Sequence, residues 1–379
     1  MLAVFPHVET WMTQGSDLLF VARLDPPSYP IERLAERLEH PLFQEALARA
    51  WLGRTVDDFA ARHFAGTSTA RRIAEGAKAV NSDDRNVLEY GLARTQLGQA
   101  GFFYQDLLVA AVADGDDQPR HLRAGLDQAR LMEARFHLFA TESEIKDTPA
   151  GLSEERAQRA KAILAWADSR YEEVLSQWRG PVVSPAEQLM MAVSVGRVGT
   201  TAQAKPILAA IERNWPVDAW VAASWLAYRQ GAHAQAVTHL GEAFRAMEVH
   251  PWAHSRTLDS VVELSALLVA AQPQEAERLI GIWMTPLSVG QLAPSAPTAW
   301  YRLGLRLPVE RRLEVLSAIG PDHPWNREFL RFKKETLEAA GHTLAAEARR
   351  EWERLVREEG RGLSEVLPPR SAGTGGGPR

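Results

Sequence analysis

The sequence contains no cysteine among its 379 residues. This absence excludes disulfide bonds, zinc ribbons, thiol nucleophiles and thiol-based redox switches. A cytoplasmic location fits a chain without cysteine, because disulfides belong mainly to oxidising compartments.

Long apolar runs and a strong net charge are also missing. No window approaches the roughly 18 to 20 uncharged apolar residues of a membrane span, and the amino terminus has no basic segment leading into an apolar core. The 43 basic and 48 acidic residues leave a net charge of −5, which argues against a nucleic-acid or anionic-membrane surface. With 46% hydrophobic residues the chain can bury a substantial core. We therefore expect a globular protein with no membrane span and no nucleic-acid partner.

The clearest pattern is a helix-turn-helix unit that occurs twice between residues 186 and 251. Each unit has an apolar helical face, a glycine turn and a second apolar helix, and Gly199 and Gly231 mark the two turns, 32 residues apart. This spacing is close to the period of about 34 residues of tetratricopeptide arrays, and the pattern resembles that family. Small residues, among them Ala192, Ser224 and Ala236, predict close approach of the paired helices. Such units bury their apolar faces by stacking, so an elongated surface for a partner is expected.

β-Structure is predicted only at the amino end. The apolar residues from Val4 to Trp11, the turn signal at 14–17 and the apolar run from Leu18 to Ala22 predict a hairpin. The second strand has no polar alternation, so we expect it to be buried on both faces. A lone hairpin is marginal in water, and no later segment offers a third strand. Either another part of the sheet is supplied from elsewhere, or the beginning of the protein is absent.

The hairpin and a later polar loop resemble the end of a spermidine-synthase-like domain, in the bacterial branch often fused to membrane segments and helical repeats. The resemblance covers about the first hundred residues. The loop and the segment after it carry the possible family residues Asn81, Asp83, Asp84, Arg85 and Glu89. The resemblance implies a mostly parallel, methyltransferase-like α/β sheet that ends in this hairpin. The family's nucleotide-binding turn, ribose-binding acid and catalytic Asp motif lie upstream of the hairpin and have no counterpart here.

The resulting prediction is a mainly α protein, with an α-solenoid of tetratricopeptide-like repeats preceded by the hairpin left from the α/β sheet. The expected domains are the synthase-like end at 1–99, the helical-repeat solenoid at 100–360, and a disordered glycine-rich tail at 361–379.

Several polar groups are candidate sites. His250 and His254 have the spacing of helical metal ligands, but Pro251 places them in a turn and no carboxylate completes a site. Asp114, Asp116 and Asp117 suggest calcium, yet they lack the spacing of a binding loop, so helix capping in a solvated turn is expected. The pair Asp83 and Asp84 is more simply a loop that caps the following helix than a catalytic dyad. We predict no catalytic residue, cofactor or metal ligand.

A partner-binding set is predicted on the concave face of the repeats, off the core stripe. It consists of Arg197, Trp225, Tyr228 and Arg229. Aromatic and arginine side chains favour binding hot spots; the alternative is that Trp225 packs on the next repeat.

Three hypotheses follow for function. The first is a protein-interaction module attached to an incomplete synthase-like domain, which binds a protein or peptide or the missing amino-terminal domain. The second is the carboxy-terminal portion of a complete polyamine aminopropyltransferase, whose parent protein could be attached to a membrane. The third is a truncation product without function.

Overall fold

The structure is a computed structural model that describes residues 2–13, 18–76, 104–142, 148, 152–251, 253–285, 296–320 and 325–366. The chain divides into two compact units, residues 1–214 and 215–379. The described residues are mainly helical, with one small antiparallel sheet. The predicted boundary at residue 99 lies outside the described residues and stays a prediction.

The sheet of the first unit has three strands, and β1 lies at its centre. The strands are β1 (His7–Met12), β2 (Leu18–Arg23) and β3 (His63–Ala65), in the order β2-β1-β3. Thr10 is opposite Phe20 on one side and Ala65 on the other. Five of the six β1 residues are buried, so the predicted hairpin is confirmed and its first strand is the core strand.

Two expectations about this sheet are wrong. The second strand is not buried on both faces, because Leu19 and Phe20 are 49% and 51% exposed. Also, a later segment does supply a third strand, which pairs with β1. The three residues of β3 follow a short helix and are too few to show strand alternation in the sequence. The third strand therefore completes the sheet on the β1 side, while the outer edge of β2 has no paired strand among the described residues.

Ten helices of the first unit are described. They are α1 (Ile31–Glu39), α2 (Pro41–Trp51), α3 (Val56–Ala60), α4 (Thr67–Gly76), α5 (Tyr104–Ala113), α6 (Gln128–Glu142), α7 (Glu154–Ala167), α8 (Tyr171–Gln177), α9 (Pro185–Val198) and α10 (Thr201–Ile211). Capping boxes begin α3 and α9, as the spacing of Thr55 to Asp58 and of Ser184 to Glu187 in the sequence predicts. Each hydroxyl accepts from the backbone N–H three residues on, and the Asp58 and Glu187 side chains accept from the backbone N–H groups of Thr55 and Ser184. These reciprocal bonds satisfy N–H groups that a helix start leaves without partners.

The described residues of the second unit form four successive helix pairs. Their helices are α11 (Pro216–Arg229), α12 (His233–Val249), α13 (Ser255–Ala271), α14 (Ala276–Trp283), α15 (Ala296–Gly304), α16 (Val309–Ile319), α17 (Arg327–Ala339) and α18 (Ala345–Val366). We call α11, α13, α15 and α17 the first helices of their pairs. Each first helix packs against its own partner, and α11, α13 and α15 also pack against the next first helix.

The core of the second unit is continuous through these pairs and is rich in aromatic rings. Trp283, Tyr301, Phe329 and Phe332 are essentially buried. The Phe244 and Trp283 rings meet edge to face with centroids 5.0 Å apart. Such rings bury large apolar areas, which makes them principal contributors to the stability of this unit.

Candidate functional site

A cleft lies between the first helices α13 and α15 of the second unit. Its volume is about 380 Å³. It is lined by Ala266, Val269, Ala270, Arg302, Leu303, Leu305 and Arg306. The floor is apolar and the polar side chains at the rim are both arginines, so the cleft combines hydrophobic and cationic recognition.

Small side chains on α13 leave room for the cleft. Ala266 and Ala270 are four residues apart, which places them on the same helix face, and both are exposed. On the opposite side, α15 ends at Gly304, where an added Cβ would lie 3.1 Å from the Phe332 ring. The chain then turns through Leu305 and Arg306. The close packing of Gly304 on Phe332 thus fixes where the second wall of the cleft ends.

Arg302 is held in place by Glu328 of α17. The Arg302 Nη2 and Nε atoms donate to Glu328 Oε2 at 2.7 and 2.9 Å, and the Tyr301 hydroxyl donates to the same oxygen at 3.2 Å. The hydrogen bond from Arg302 lowers the pKa of the Glu328 carboxyl. Both partners are substantially exposed, so this ion pair orients Arg302 more than it stabilises the fold.

Arg306 differs from its neighbour. Its side chain is exposed, and its guanidinium has no carboxylate partner within the part of the chain that the structure describes. Nearby Arg312 is occupied with the backbone, since its Nε and Nη2 donate to the carbonyls of Leu307 and Leu305 at 2.8 and 3.0 Å. The rim therefore carries positive charge that is only partly compensated by Glu328.

The four predicted partner-binding residues are distributed over both units. Arg197 belongs to the first unit, where it is half-buried with its guanidinium 5.7 Å from the Tyr171 ring centroid. Trp225 belongs to the second unit and is 6% exposed. Its Nε1 donates to Ser260 Oγ of α13 at 3.3 Å. The placement of Trp225 off the core stripe is corrected: its indole packs on the next helix pair.

Tyr228 and Arg229 lie at the carboxyl end of α11. The Tyr228 ring is half-buried, edge to face with Trp225 and 5.4 Å from the His233 ring between centroids. Arg229 is exposed. These two residues keep the accessibility that partner binding requires, which Trp225 does not.

The two histidines that have the spacing of metal ligands lie at helix ends. His250 ends α12 as its C-cap, and His254 Nδ1 accepts from the Arg256 N–H at 3.2 Å at the start of α13. Among the described residues there is no group of three or more metal-ligating side chains.

The acidic loop is buried, so its expected position in a solvated turn is wrong for Asp116 and Asp117. Asp116 Oδ2 accepts from the Thr69 N–H at 3.1 Å, which is a capping contact made from a distant part of the chain. An added Cβ at Gly66 would lie 2.7 Å from Asp116 Oδ1. Burial arises because α4 and the loop close on each other, a contact that the local sequence does not encode.

Asp117 forms a buried ion pair with Arg135 of α6. The Arg135 Nη1 donates to Asp117 Oδ2 at 2.7 Å, and Nη2 donates to the carbonyls of His63 and Asp117. Burial lowers the pKa of the neighbouring His63. One guanidinium thus donates to the Asp117 carboxylate and to the carbonyls of Asp117 and His63. This arrangement indicates a structural role for Arg135.

The possible family residues Asn81, Asp83, Asp84, Arg85 and Glu89 lie outside the described residues, as does the start of the helix that this loop is expected to cap. The residues that line the cleft were missed by sequence reasoning. One weak signal was present: Ala266 and Ala270 are four residues apart, which places these small side chains on one helix face. Arg302 and Arg306 have the same spacing, but Arg306 follows the end of α15.

No protein-family model, no curated protein and no solved structure matches this chain. Within the described ranges, none of the helices combines the length and the apolar character needed to cross a bilayer.

Proposed function

We propose that the second unit is a protein-interaction module, a tetratricopeptide-like array of helix pairs that binds a protein or peptide on the face formed by its first helices. We call this face, made by α11, α13, α15 and α17, the first-helix face. The packing order carries the proposal: α11 contacts α13, α13 contacts α15, and α15 contacts α17. Helices stacked in this way present a continuous surface, which is how repeat arrays hold their partners.

The second helices support the same interpretation. α12 contacts both α13 and α14, and α14 contacts α15. Each pair therefore lies against the next through both of its helices, so neighbouring pairs cover the apolar faces that one pair alone would leave exposed. Within the first unit, the helix pairs α7–α8 and α9–α10 also lie against each other, through α8 and α9.

The exposed chemistry of the first-helix face suits binding. Arg229, Arg302 and Arg306 supply cations, Tyr228 supplies a partly accessible ring, and the cleft supplies an apolar recess. Arginine and tyrosine are enriched among residues that dominate interface energies. The proposal requires no cofactor. A cytoplasmic location forms part of it and fits the absence of cysteine.

The test is quantitative capture of partners from the native cells by the wild-type chain and by two variants. Y228A/R229E alters the first-helix face, and Arg245→Glu introduces the same charge change on α12, a second helix. We expect a defined set of proteins whose recovery falls with the first variant and not with the second. Equal recovery with all three chains, at matched thermal stability, would refute the proposal.

A second candidate is that this chain is part of a polyamine aminopropyltransferase. One observation favours it: among the described residues the outer edge of β2 has no paired strand, and Leu19 and Phe20 beside it are half exposed. An edge of this kind accepts a further strand, as the resemblance to spermidine-synthase-like domains implies.

This second candidate is tested by the mass of the native protein, using an antibody against residues 344–358. A band well above the calculated 42.0 kDa, with aminopropyl transfer by the larger protein, would support it. A single band at 42.0 kDa without transfer activity would rule it out.

A further inference from the structure

We infer that the cleft between α13 and α15 binds an acidic peptide segment, with a carboxylate held by Arg306 and a neighbouring apolar side chain inserted between the helices. This inference rests on the proposed function, because it names the partner chemistry of the first-helix face.

The charge of the rim selects the partner. Arg302 and Arg306 line the cleft, and none of its lining residues in the described part of the chain is acidic. This local excess of positive charge contrasts with the net charge of −5 for the whole chain. A partner carboxylate would therefore be attracted to this part of the second unit, and a basic peptide would be repelled.

The two arginines differ in how many guanidinium N–H groups they can offer to a carboxylate. The guanidinium of Arg306 makes no ion pair with the residues that the structure describes, and this planar group matches a carboxylate through two parallel hydrogen bonds. Arg302 directs Nε and Nη2 to the single oxygen Oε2 of Glu328. Its Nη1 group is not engaged by Glu328 and can donate to the ligand. Glu328 thus orients Arg302 and leaves the charge of Arg306 unpaired by it.

The floor of the cleft requires an apolar group beside the carboxylate. Val269 and Leu303 are nearly buried at its base, while Ala266, Ala270 and Leu305 remain exposed. A volume of about 380 Å³ is at the lower end for ligand pockets. This size suits one or two inserted side chains of an extended peptide.

Single-stranded nucleic acid fits this cleft less well. Its phosphates would also pair with arginine, but such sites stack bases on aromatic rings. None of the seven lining residues is aromatic. The apolar side chains present are aliphatic and small, which favours leucine-like groups over bases.

The experiment measures binding to the full chain by fluorescence anisotropy. The probe is a short fluorescein-labelled peptide of alternating glutamate and leucine, compared with matched peptides in which glutamine or lysine replaces glutamate and with a labelled uridine oligonucleotide. We expect the glutamate peptide to bind, and the glutamine peptide to bind roughly tenfold more weakly or worse, since its charge is lost. The lysine peptide and the oligonucleotide should not compete.

Two variants place the binding in the cleft. Arg306→Gln removes the cation, and Ala270→Phe fills the recess. Each should weaken the glutamate peptide roughly tenfold, whereas Arg245→Gln on α12 should leave its affinity unchanged. Equal binding of the glutamate and glutamine peptides, full affinity in R306Q, or preference for the oligonucleotide would overturn the inference.

Partner capture separates this inference from the proposed function. If Y228A/R229E releases native partners and R306Q does not, the first-helix face binds partners and the cleft inference fails. If neither variant changes recovery, both fail.

Discussion

The Ser224 hydroxyl donates a hydrogen bond of 2.6 Å to the carbonyl oxygen of Ala236, across the turn that joins α11 to α12. Both residues are fully buried. Ring contacts lie on either side of this bond: Trp220 stacks on His239, and Tyr228 contacts His233. The residue numbers therefore rise along α11 as they fall along α12. The pair is therefore antiparallel, and its closest approach lies where the sequence has small side chains, as predicted.

Replacing Ala236 by leucine should destabilise the protein. Ala236 is fully buried, so the added atoms would push α11 and α12 apart and strain the Ser224 bond. We expect a loss of about 1–3 kcal/mol, measured by denaturant unfolding. Ala234→Leu provides the control, because Ala234 is exposed on the same helix. Equal stability of the two variants would contradict the proposed closeness of the pair.

The helices of both units follow largely from the sequence, whereas the burial of particular polar residues does not. Helix periodicity and capping are local signals, so the sequence predicts the capping boxes at Thr55 and Ser184. The burial of Asp116 depends on Thr69, far away in the chain, and β3 is too short to produce a pattern.

The candidate cleft was also beyond sequence reasoning. Its walls come from two helices that are separated in the chain by α14, and its depth depends on alanines at an exposed position. The burial of Trp225 was not predicted for a related reason. Its position lies off the predicted apolar stripe of α11, but its indole packs on the next first helix, α13, where its Nε1 donates to Ser260 Oγ.

Asp218 should make stability depend on pH. Its carboxylate is buried at the start of α11, where it accepts from the Thr257 hydroxyl and from the His254 N–H. Burial raises the pKa of Asp218 from 3.8 to about 6. Between these two values the folded protein binds the proton more tightly than the unfolded chain. Stability is therefore greatest below pH 4 with respect to this group, and it falls as the pH rises through 6.

Asp218→Asn should remove this dependence. A shift of about two units corresponds to a few kcal/mol, on the order of 3, so the variant should gain stability relative to wild type as the pH increases from 4.5 to 7. The asparagine keeps an acceptor for Thr257 while carrying no charge. Asp259→Asn, at an exposed position of α13, is the control. Parallel pH profiles for wild type and D218N would show that Asp218 is not the responsible group.

Loss of the Arg135 guanidinium should strongly destabilise the first unit. Arg135→Met would leave the Asp117 carboxylate buried without its main cation and the His63 carbonyl without its donor. Breaking one side of a buried ion pair typically costs about 3–5 kcal/mol. Arg156→Met, at an exposed position of α7, should stay close to wild type. Limited proteolysis resolved by mass spectrometry would show whether the new cleavages fall in residues 1–214. A small effect for R135M would mean that water replaces the guanidinium.

Substitutions at Trp225 and at the nearby Arg229 should have different effects on stability. Trp225 is a core residue, so Trp225→Ala should create a cavity and cost about 3–5 kcal/mol. Arg229→Ala should change stability by less than about 0.5 kcal/mol, because the side chain is exposed. Trp325→Ala is the matched tryptophan control, since Trp325 is 43% exposed. The measurement is the shift in thermal midpoint for the three variants, followed by partner capture for those that remain folded. If W225A retained wild-type stability, the assignment of the indole to the core would be wrong, because removal of a packed indole leaves a cavity that destabilises the fold.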